Sequence, residues 1–323
     1  AEIEKDTFCV FDIETTGLSV KDCAITEIGA VLYRALKAAD ELKEKYGMEA
    51  EIIDARIPVS SRNPDIDRLS AGKPRLVVMN RVDQADPSAT AQWRAWFRAQ
   101  GLAVLETDAR SGKGVKDFPA AVRALLSDRI AAWEAKGQGT RPVRAMVLGI
   151  PNVGKSTFIN KVAGKKAAAV SDRPGVTRGR QWISVDRGLE LLDTPGILWP
   201  RFDSQEVGEL LAVTGAVKDD VLDRETLAAN LLIRLRKLYP EAVNARYKLT
   251  DEDGEAGWQL LEAAAKKRGF LAGRGEYDTE RMSAVLLDEF RGGKIGRITL
   301  EEPDAISGKN PDETENGEGS ADA

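Results

Sequence analysis

Ala145-Met-Val-Leu-Gly149-Ile-Pro-Asn152-Val153-Gly154-Lys155-Ser156-Thr157 is the stretch from which the rest of the chain is read. An apolar run enters a glycine turn, passes through Lys-Ser, and continues as a helical-looking segment to Ala163. Gly149, Gly154, Lys155 and Ser156 stand at the spacing of a phosphate-binding loop. The two glycines let the backbone fold tightly enough to aim N–H groups at a phosphate. The following helix N-terminus adds partial positive charge. Lys155 then reaches the outer phosphates and the Ser156 hydroxyl holds Mg²⁺, with Val153, Gly154 and Thr157 completing the loop.

Bulk composition bounds the setting. Apolar residues make up 42% and charged residues 31% of 323 residues, a globular balance with room for two domains. No apolar run approaches the roughly 20 residues needed to cross a bilayer, and the N-terminus lacks the pattern of a signal peptide. Two cysteines, Cys9 and Cys23, suggest no disulfide framework. A cytoplasmic protein with no membrane partner is expected. The chain contains no histidine, which excludes any mechanism that needs an imidazole. Its net charge of -5 is concentrated at the end: Glu301 to Ala323 holds eight acidic residues and one lysine. That tail has almost nothing to bury and reads as disordered. The rest is close to neutral, with room for local basic patches and no requirement for DNA.

Upstream of the phosphate loop, Met48 to Ile53 reads as a strand and Asp54 to Pro64 as a polar loop closed by prolines. Arg75-Leu-Val-Val-Met79 is a short apolar run, expected as a buried parallel strand. It ends in Asn80-Arg81-Val82-Asp83, which resembles the Asn-Lys-x-Asp guanine-reading motif of GTPases, with Arg81 in place of lysine. A carboxylate at Asp83 accepts from guanine N1–H and the 2-amino group, donors that adenine lacks, so such a site discriminates strongly. Asn80 supports the loop and the purine edge. Leu102 to Leu105 reads as another strand, followed by Glu106-Thr-Asp108-Ala109-Arg110. This occupies the place of the second base-contacting loop, where the Ala109 N–H meets guanine O6. Thr90 to Gln100 reads as a helix whose Trp93, Trp96 and Phe97 form a core stripe. Val115 to Ala135 reads as one more helix.

Downstream, Trp182 to Val185 and Leu189 to Leu192 read as a strand hairpin ending in Asp193-Thr-Pro-Gly196. This matches the Asp-x-x-Gly motif: Asp193 binds Mg²⁺ through water and the Gly196 N–H senses the γ-phosphate. Thr177, in the preceding loop, is the candidate that orders around Mg²⁺ and the γ-phosphate. Ile197 stands where a Ras-like enzyme carries the glutamine that orients water.

Three motifs carry a wider resemblance: Asp54-Ala-Arg-Ile-Pro-x-Ser-Ser-Arg-Asn-Pro, Asn80-Arg-Val-Asp placed before the phosphate loop, and Asp193-Thr-Pro-Gly-Ile-Leu-Trp-Pro. From about Asp54 to Arg297 the chain resembles the circularly permuted ribosome-assembly GTPases. The resemblance implies a permuted P-loop GTPase domain with a mostly parallel sheet flanked by helices, binding GTP/GDP with Mg²⁺. It implies K⁺ as a further ligand, through Asn152, and hydrolysis without a glutamine, aided by Lys155, Thr177 and Gly196. The family's N-terminal Pro-Gly-His motif is absent here. It further implies a small all-helical domain that contacts RNA of the large ribosomal subunit. Expected helices there are Gln205–Val217, Asp223–Tyr239, Ala256–Arg268 and Thr279–Phe290. Lys266-Lys-Arg268 and Arg291-Gly-Gly-Lys294 are the basic candidates for that contact.

The domain division expected is a hairpin over residues 1–35, the GTPase domain over 36–200, the helical domain over 201–297 and the acidic tail over 298–323. Asp12-Ile-Glu14 in the hairpin resembles the first motif of DEDD proofreading exonucleases, where two carboxylates on one strand face start a two-metal site. Tyr247-x-x-x-Asp251 matches the spacing of their tyrosine variant. A metal-dependent exonuclease is therefore the rival reading, alongside a GTP-binding module without effective hydrolysis.

Overall fold

The computed structural model describes residues 47–64, 66, 72–139, 141–164, 181–186, 188–194, 196, 204–217 and 223–303. The exonuclease-like hairpin, Thr177 and Ile197 lie outside the described residues.

A six-stranded sheet is built from β1 (Met48–Asp54), β2 (Arg75–Asn80), β3 (Ala103–Glu106), β4 (Val143–Leu148), β5 (Gln181–Asp186) and β6 (Leu189–Asp193). Their order across the sheet is β3-β2-β1-β4-β6-β5. Every neighbouring pair is parallel except β5 with β6, the hairpin expected from the sequence. Side chains alternate between two cores. Met48, Ala50, Ile52, Leu76 and Val78 face one, with Phe158 and Phe118; Ile53, Val77, Met79, Trp93 and Phe97 face the other. Burial on both faces is what a parallel sheet requires. Buried Glu49 and Glu51 on β1 are offset by Arg75, 3.8 and 3.7 Å from them, and by Arg62, 3.1 Å from Glu51.

The helices beside the sheet are α1 (Pro87–Ala99), α2 (Phe118–Leu125), α3 (Ser127–Ala135) and α4 (Lys155–Ala163). Helix α1 starts three residues before the expected Thr90, because Asp86 caps it and Pro87 opens it. The single helix expected over 115–135 is broken. A 3₁₀ turn at Val115–Asp117 precedes α2, and Leu126 leaves helical geometry at φ -107° while its side chain is buried.

The C-terminal helices are α5 (Gln205–Val213), α6 (Arg224–Leu238), α7 (Pro240–Tyr247), α8 (Gly257–Arg268) and α9 (Thr279–Arg291). Helix α5 ends before the expected Val217, where Thr214 bonds back to the Leu210 and Leu211 carbonyls and Gly215 turns left-handed. Helix α7 was not expected; proline at its first position was the available signal. Glu289 is the polar centre of this bundle. It accepts from Arg246 at 2.6 and 3.1 Å, Tyr247 Oη at 2.9 Å and Arg268 at 3.0 and 3.2 Å.

That network corrects one expectation and bears on another. Tyr247 is buried against Glu289, and burial with that carboxylate pushes its phenol well above the usual range. Asp251 pairs with Arg236 instead, so the two do not form a metal-side pair. In the basic run, Arg268 belongs to Glu289, Lys267 bonds Asp253 and the Lys248 carbonyl, and Lys266 lies over the Tyr277 ring. The start of the expected disordered tail is also corrected. Ile298, Thr299 and Leu300 are buried, because two of the three are apolar and all find a surface against the sheet domain.

Candidate functional site

Parallel strands place their carboxyl ends on one edge of a sheet, where open α/β folds bind ligands. Asp54 ends β1, Asn80 ends β2, Glu106 ends β3, β4 runs into Gly149, and Asp193 ends β6. Asp54 is in register with Asn80, and Val147 with Asp193. Residues spread over more than a hundred positions therefore meet along one edge.

Asn80 is the node of that edge. Its Nδ2 donates to the Val153 carbonyl of the phosphate loop at 2.7 Å. Its Oδ1 accepts from Thr107 Oγ1 at 3.2 Å and from the Ala109 N–H at 2.9 Å. One buried amide thus joins the phosphate loop, the end of β2 and the Thr107–Ala109 loop. The Ala109 N–H is given to Asn80, so a purine O6 would share that donor rather than take it alone. Asp108 shapes the same loop: its Oδ1 accepts from the Arg110 and Ser111 N–H groups. Burial pushes its carboxyl up, but the bonds from Ser111 and Arg110 outweigh this and hold it below its ordinary value.

Gly154 sits left-handed at φ 91°, and a Cβ there would lie 2.5 Å from Asn80 Nδ2. The position needs glycine both for its backbone and for the asparagine's approach. Gly196 packs on the other side of the loop, where a Cβ would meet the Pro151 nitrogen at 2.9 Å. Its backbone is thereby held beside the phosphate loop.

Lys155 opens α4 and is buried. Its ammonium donates to Asp193 Oδ1 at 2.8 Å. Burial pulls the Lys155 amine below its ordinary value, with Asp193 opposing the shift. Ser156 and Thr157 follow, exposed at the helix N-terminus. A hydroxyl and a carboxylate are hard oxygen donors, and Mg²⁺ characteristically takes one or two protein oxygens plus phosphate oxygens. Among the described residues no group of three or more Asp, Glu, Cys or His is placed to hold a metal ion.

Arg81 spans two loops. Its Nη2 donates to the Asn152 carbonyl at 2.7 Å, and its Nε lies 3.6 Å from Asp54 Oδ2. Arg81, which stands where the resembling motif has lysine, therefore both bonds the phosphate loop and contacts Asp54. Burial lowers the Arg81 pKa, with Asp54 countering it. Asn152 takes a left-handed φ of 61°, and its Nδ2 donates to the Gly215 carbonyl just beyond α5. Asp83 is exposed on the loop after β2.

Three residues of this edge, Asp54, Arg56 and Thr107, were given no role by the motifs. Asp54 takes a two-pronged bond from Arg56, at 2.9 and 2.7 Å, and faces Arg81 as well. Arg56 is fully buried and stacks on Phe290 at 5.1 Å. Burial pushes the Asp54 carboxyl up, yet Arg56 and Arg81 together hold it below its ordinary value. The signal was an acid and an arginine two residues apart at the end of a buried strand. Thr107, the third member of the Asn80 node, carried no distinguishing signal.

A phosphate loop between β4 and α4, at the carboxyl edge of a mostly parallel sheet flanked by helices, defines a P-loop GTPase fold, here with one asparagine joining that loop to the end of β2. Residues 144–253 match the family described as 50S ribosome-binding GTPase. Ribosome biogenesis GTPase A of Bacillus cereus is 47% identical over 254 residues, covering 79% of this chain and 86% of that protein. The protein of the same name from Thermotoga maritima is 28% identical over 281 residues, covering 87% and 95%. The crystal structure of GNP-bound YlqF from T. maritima superposes with a TM-score of 0.60 at 27% identity, covering 84% of this chain and 98% of that one. The chain belongs to the ribosome biogenesis GTPase A family. It is a guanine-nucleotide-binding GTPase of ribosome assembly.

Proposed function

We propose that the chain binds GTP with Mg²⁺ at the edge formed by Asn80, Lys155 and Asp193, hydrolyses it, and acts in the cytoplasm on the large ribosomal subunit. The observation that carries this reading is the Asn80 node, which couples the phosphate loop to the base-reading loop through one buried side chain. Lys155 is the group that would hold the β- and γ-phosphates, exchanging its bond to Asp193 for phosphate oxygens. Asp193 and Ser156, with Thr177, would hold Mg²⁺, which supplies charge neutralisation at the developing leaving group. Asp83 reads the guanine edge, and Gly196 reports the γ-phosphate through its N–H. Asn152 is the candidate for K⁺. Its amide nitrogen is given to Gly215, leaving the amide oxygen as the donor a cation would use.

The test is competition between labelled GDP and unlabelled GTP or ATP. Displacement by GTP alone supports the reading; equal displacement by ATP overturns the role of Asp83. Phosphate release measured in K⁺ and in Na⁺, with and without large subunits, then reads hydrolysis. No phosphate release above background, with or without large subunits, would favour a module that binds without turnover. The absence of histidine and the isoleucine at position 197 give that second reading its specific basis.

Contact with ribosomal RNA through the helical region forms the last part of this reading. Lys266 and Lys294 keep exposed side chains there, whereas Lys267, Arg268 and Arg291 are bonded within the chain. Lys266→Ala with Lys294→Ala should weaken subunit binding and flatten its salt dependence. An unchanged salt slope would remove these two lysines from the contact.

A further inference from the structure

The segment after α9 returns across the sheet domain and lies along the base-reading loop. Arg297 Nη2 donates to the Val82 carbonyl at 2.7 Å and its Nε to the Ala85 carbonyl at 3.0 Å. The Ile298 N–H donates to the Gln84 carbonyl at 2.8 Å, and the Asp86 N–H donates to Thr299 Oγ1 at 3.1 Å. The peptide groups on both sides of Asp83 are thus fixed by a segment more than two hundred residues away. The segment is itself anchored. Thr299 exchanges bonds with Tyr239 Oη at 3.0 and 3.1 Å, and the Leu300 N–H reaches the Arg56 carbonyl at 2.7 Å. The Glu301 carboxylate accepts from the Val59 and Ser60 N–H groups, and its carbonyl from Trp93 Nε1.

A carboxylate on a surface loop discriminates between bases only if its backbone holds still, because a loop that gives way lets it follow the wrong base. The two ends of the β2–α1 loop are held, Arg81 by Asn152 and Asp54, and Asp86 by its cap on α1. Between them the backbone bonds within the sheet domain are Gln84 N–H to the Arg81 carbonyl and Val82 N–H to the Thr107 carbonyl. A planar guanidinium can bridge two carbonyls at once, which an ammonium cannot do with the same geometry. Ile298 and Thr299 are 2% exposed, so the strap cannot lift without uncovering buried side chains. The strap bonds this loop through the Val82, Gln84 and Ala85 carbonyls, and the Asp83 side chain is exposed.

We propose that Arg297, seated by the Ile298–Glu301 strap, is a positioning residue for purine discrimination. It holds the Asp83 loop so that the carboxylate meets both guanine donors together. The inference rests on Asp83 being the guanine reader. It makes the end of the helical region part of the nucleotide site, and a partner that shifts the strap would change base selectivity and nucleotide affinity together.

The test compares GDP with IDP, which lacks the 2-amino group, in the full chain by titration of fluorescent-nucleotide displacement. Asp83→Ala should collapse the GDP-to-IDP affinity ratio; if it does not, the guanine-reading role fails, and this inference with it. Given that collapse, Arg297→Ala should weaken GDP about tenfold and IDP much less, compressing the ratio, with a thermal midpoint close to that of the parent. Arg297→Lys should fall between, since one ammonium replaces a fork. Equal losses for both nucleotides, or an unchanged ratio in Arg297→Ala, would overturn the positioning role while leaving Asp83 as the reader. If Arg297→Ala does not fold, Arg297→Lys decides, and a ratio equal to the parent's counts against the proposal.

Discussion

The Asn80 amide nitrogen donates to the Val153 carbonyl at 2.7 Å, and this bond joins two loops that lie 73 residues apart in the chain. The same side chain also orders the Thr107–Ala109 loop. Asn80→Ala should therefore cost on the order of 3 kcal/mol, because several buried groups lose partners at about 1–3 kcal/mol each. Asn80→Asp, which keeps the shape but sets a carboxylate against a carbonyl, should lose nucleotide more than stability. Chemical denaturation alongside labelled-GDP titration separates the two effects; parental affinity in both variants would remove Asn80 from its central role.

Gly154 offers a steric test of the same contact. Gly154→Ala places a Cβ 2.5 Å from Asn80 Nδ2 on a backbone at φ 91°. Affinity for GDP should drop at least about tenfold. Gly269→Ala, also left-handed at φ 67° but with nothing within 4 Å, should cost only about 1 kcal/mol of stability and leave GDP binding intact. Similar behaviour of the two variants would show that backbone strain alone, and not the asparagine clash, governs Gly154.

Lys155 is stored as a buried ammonium beside Asp193. Burial lowers its folded pKa, so the folded state releases this proton more readily than the unfolded one. Its burial therefore costs stability at neutral pH, and the cost lessens as pH rises through the folded value. Phosphate oxygens would relieve that cost. In the parent protein GDP at about 100 times Kd should add about 2.7 kcal/mol of stability. In Lys155→Ala the gain should vanish, as read from melting curves with and without GDP. A full nucleotide shift in the variant would refute the phosphate-loop role of this lysine.

Acid stability should follow two carboxylates with lowered pKa values. Asp54 and Glu289 are both pushed up by burial, but their arginine partners, joined at Glu289 by Tyr247, hold each below its ordinary value. Their contribution is complete above the unfolded carboxylate values of about 4 and is lost as pH falls through the lower folded values. Denaturation from pH 7 to 3 should show a plateau and then a steep fall below about pH 4. Asp54→Asn should lower the plateau by about 3–5 kcal/mol, the scale for breaking a buried ion pair, and make the fall shallower. A plateau unchanged in Asp54→Asn would show that Arg56 and Arg81 find other partners.

The strands and the site chemistry were legible because both are local. Short apolar runs ending in glycine or polar turns read directly as β2, β3, β4 and the β5–β6 hairpin, and β1 was expected over Met48 to Ile53 despite its two buried glutamates. The phosphate loop, Asn80-x-x-Asp83 and Asp193-x-x-Gly196 each carry their chemistry within a few consecutive residues. Helix ends were less legible. Leu126 and Gly215 stop helices through burial and backbone handedness that composition does not record, and α7 needed only a proline to begin.

What the sequence determined by itself was the ligand class, the permuted order of the motifs and the parallel sheet they imply. The ligand class and the parallel sheet follow from residue types at short spacing and from apolar runs, and the permuted order from the resemblance those motifs carry. Tertiary structure alone decided that Asn80 bridges three segments, that Arg81 shares Asp54 with Arg56, and that Arg297 and Ile298–Glu301, the latter expected in the acidic tail, pack on the sheet domain beside the β2–α1 loop. It also turned most of the expected basic run inward, onto Asp253 and Glu289. These are partnerships between groups tens to hundreds of residues apart. A charged side chain carries the same code whether it meets water, a phosphate or a buried carboxylate, and only the folded backbone decides which of these it meets.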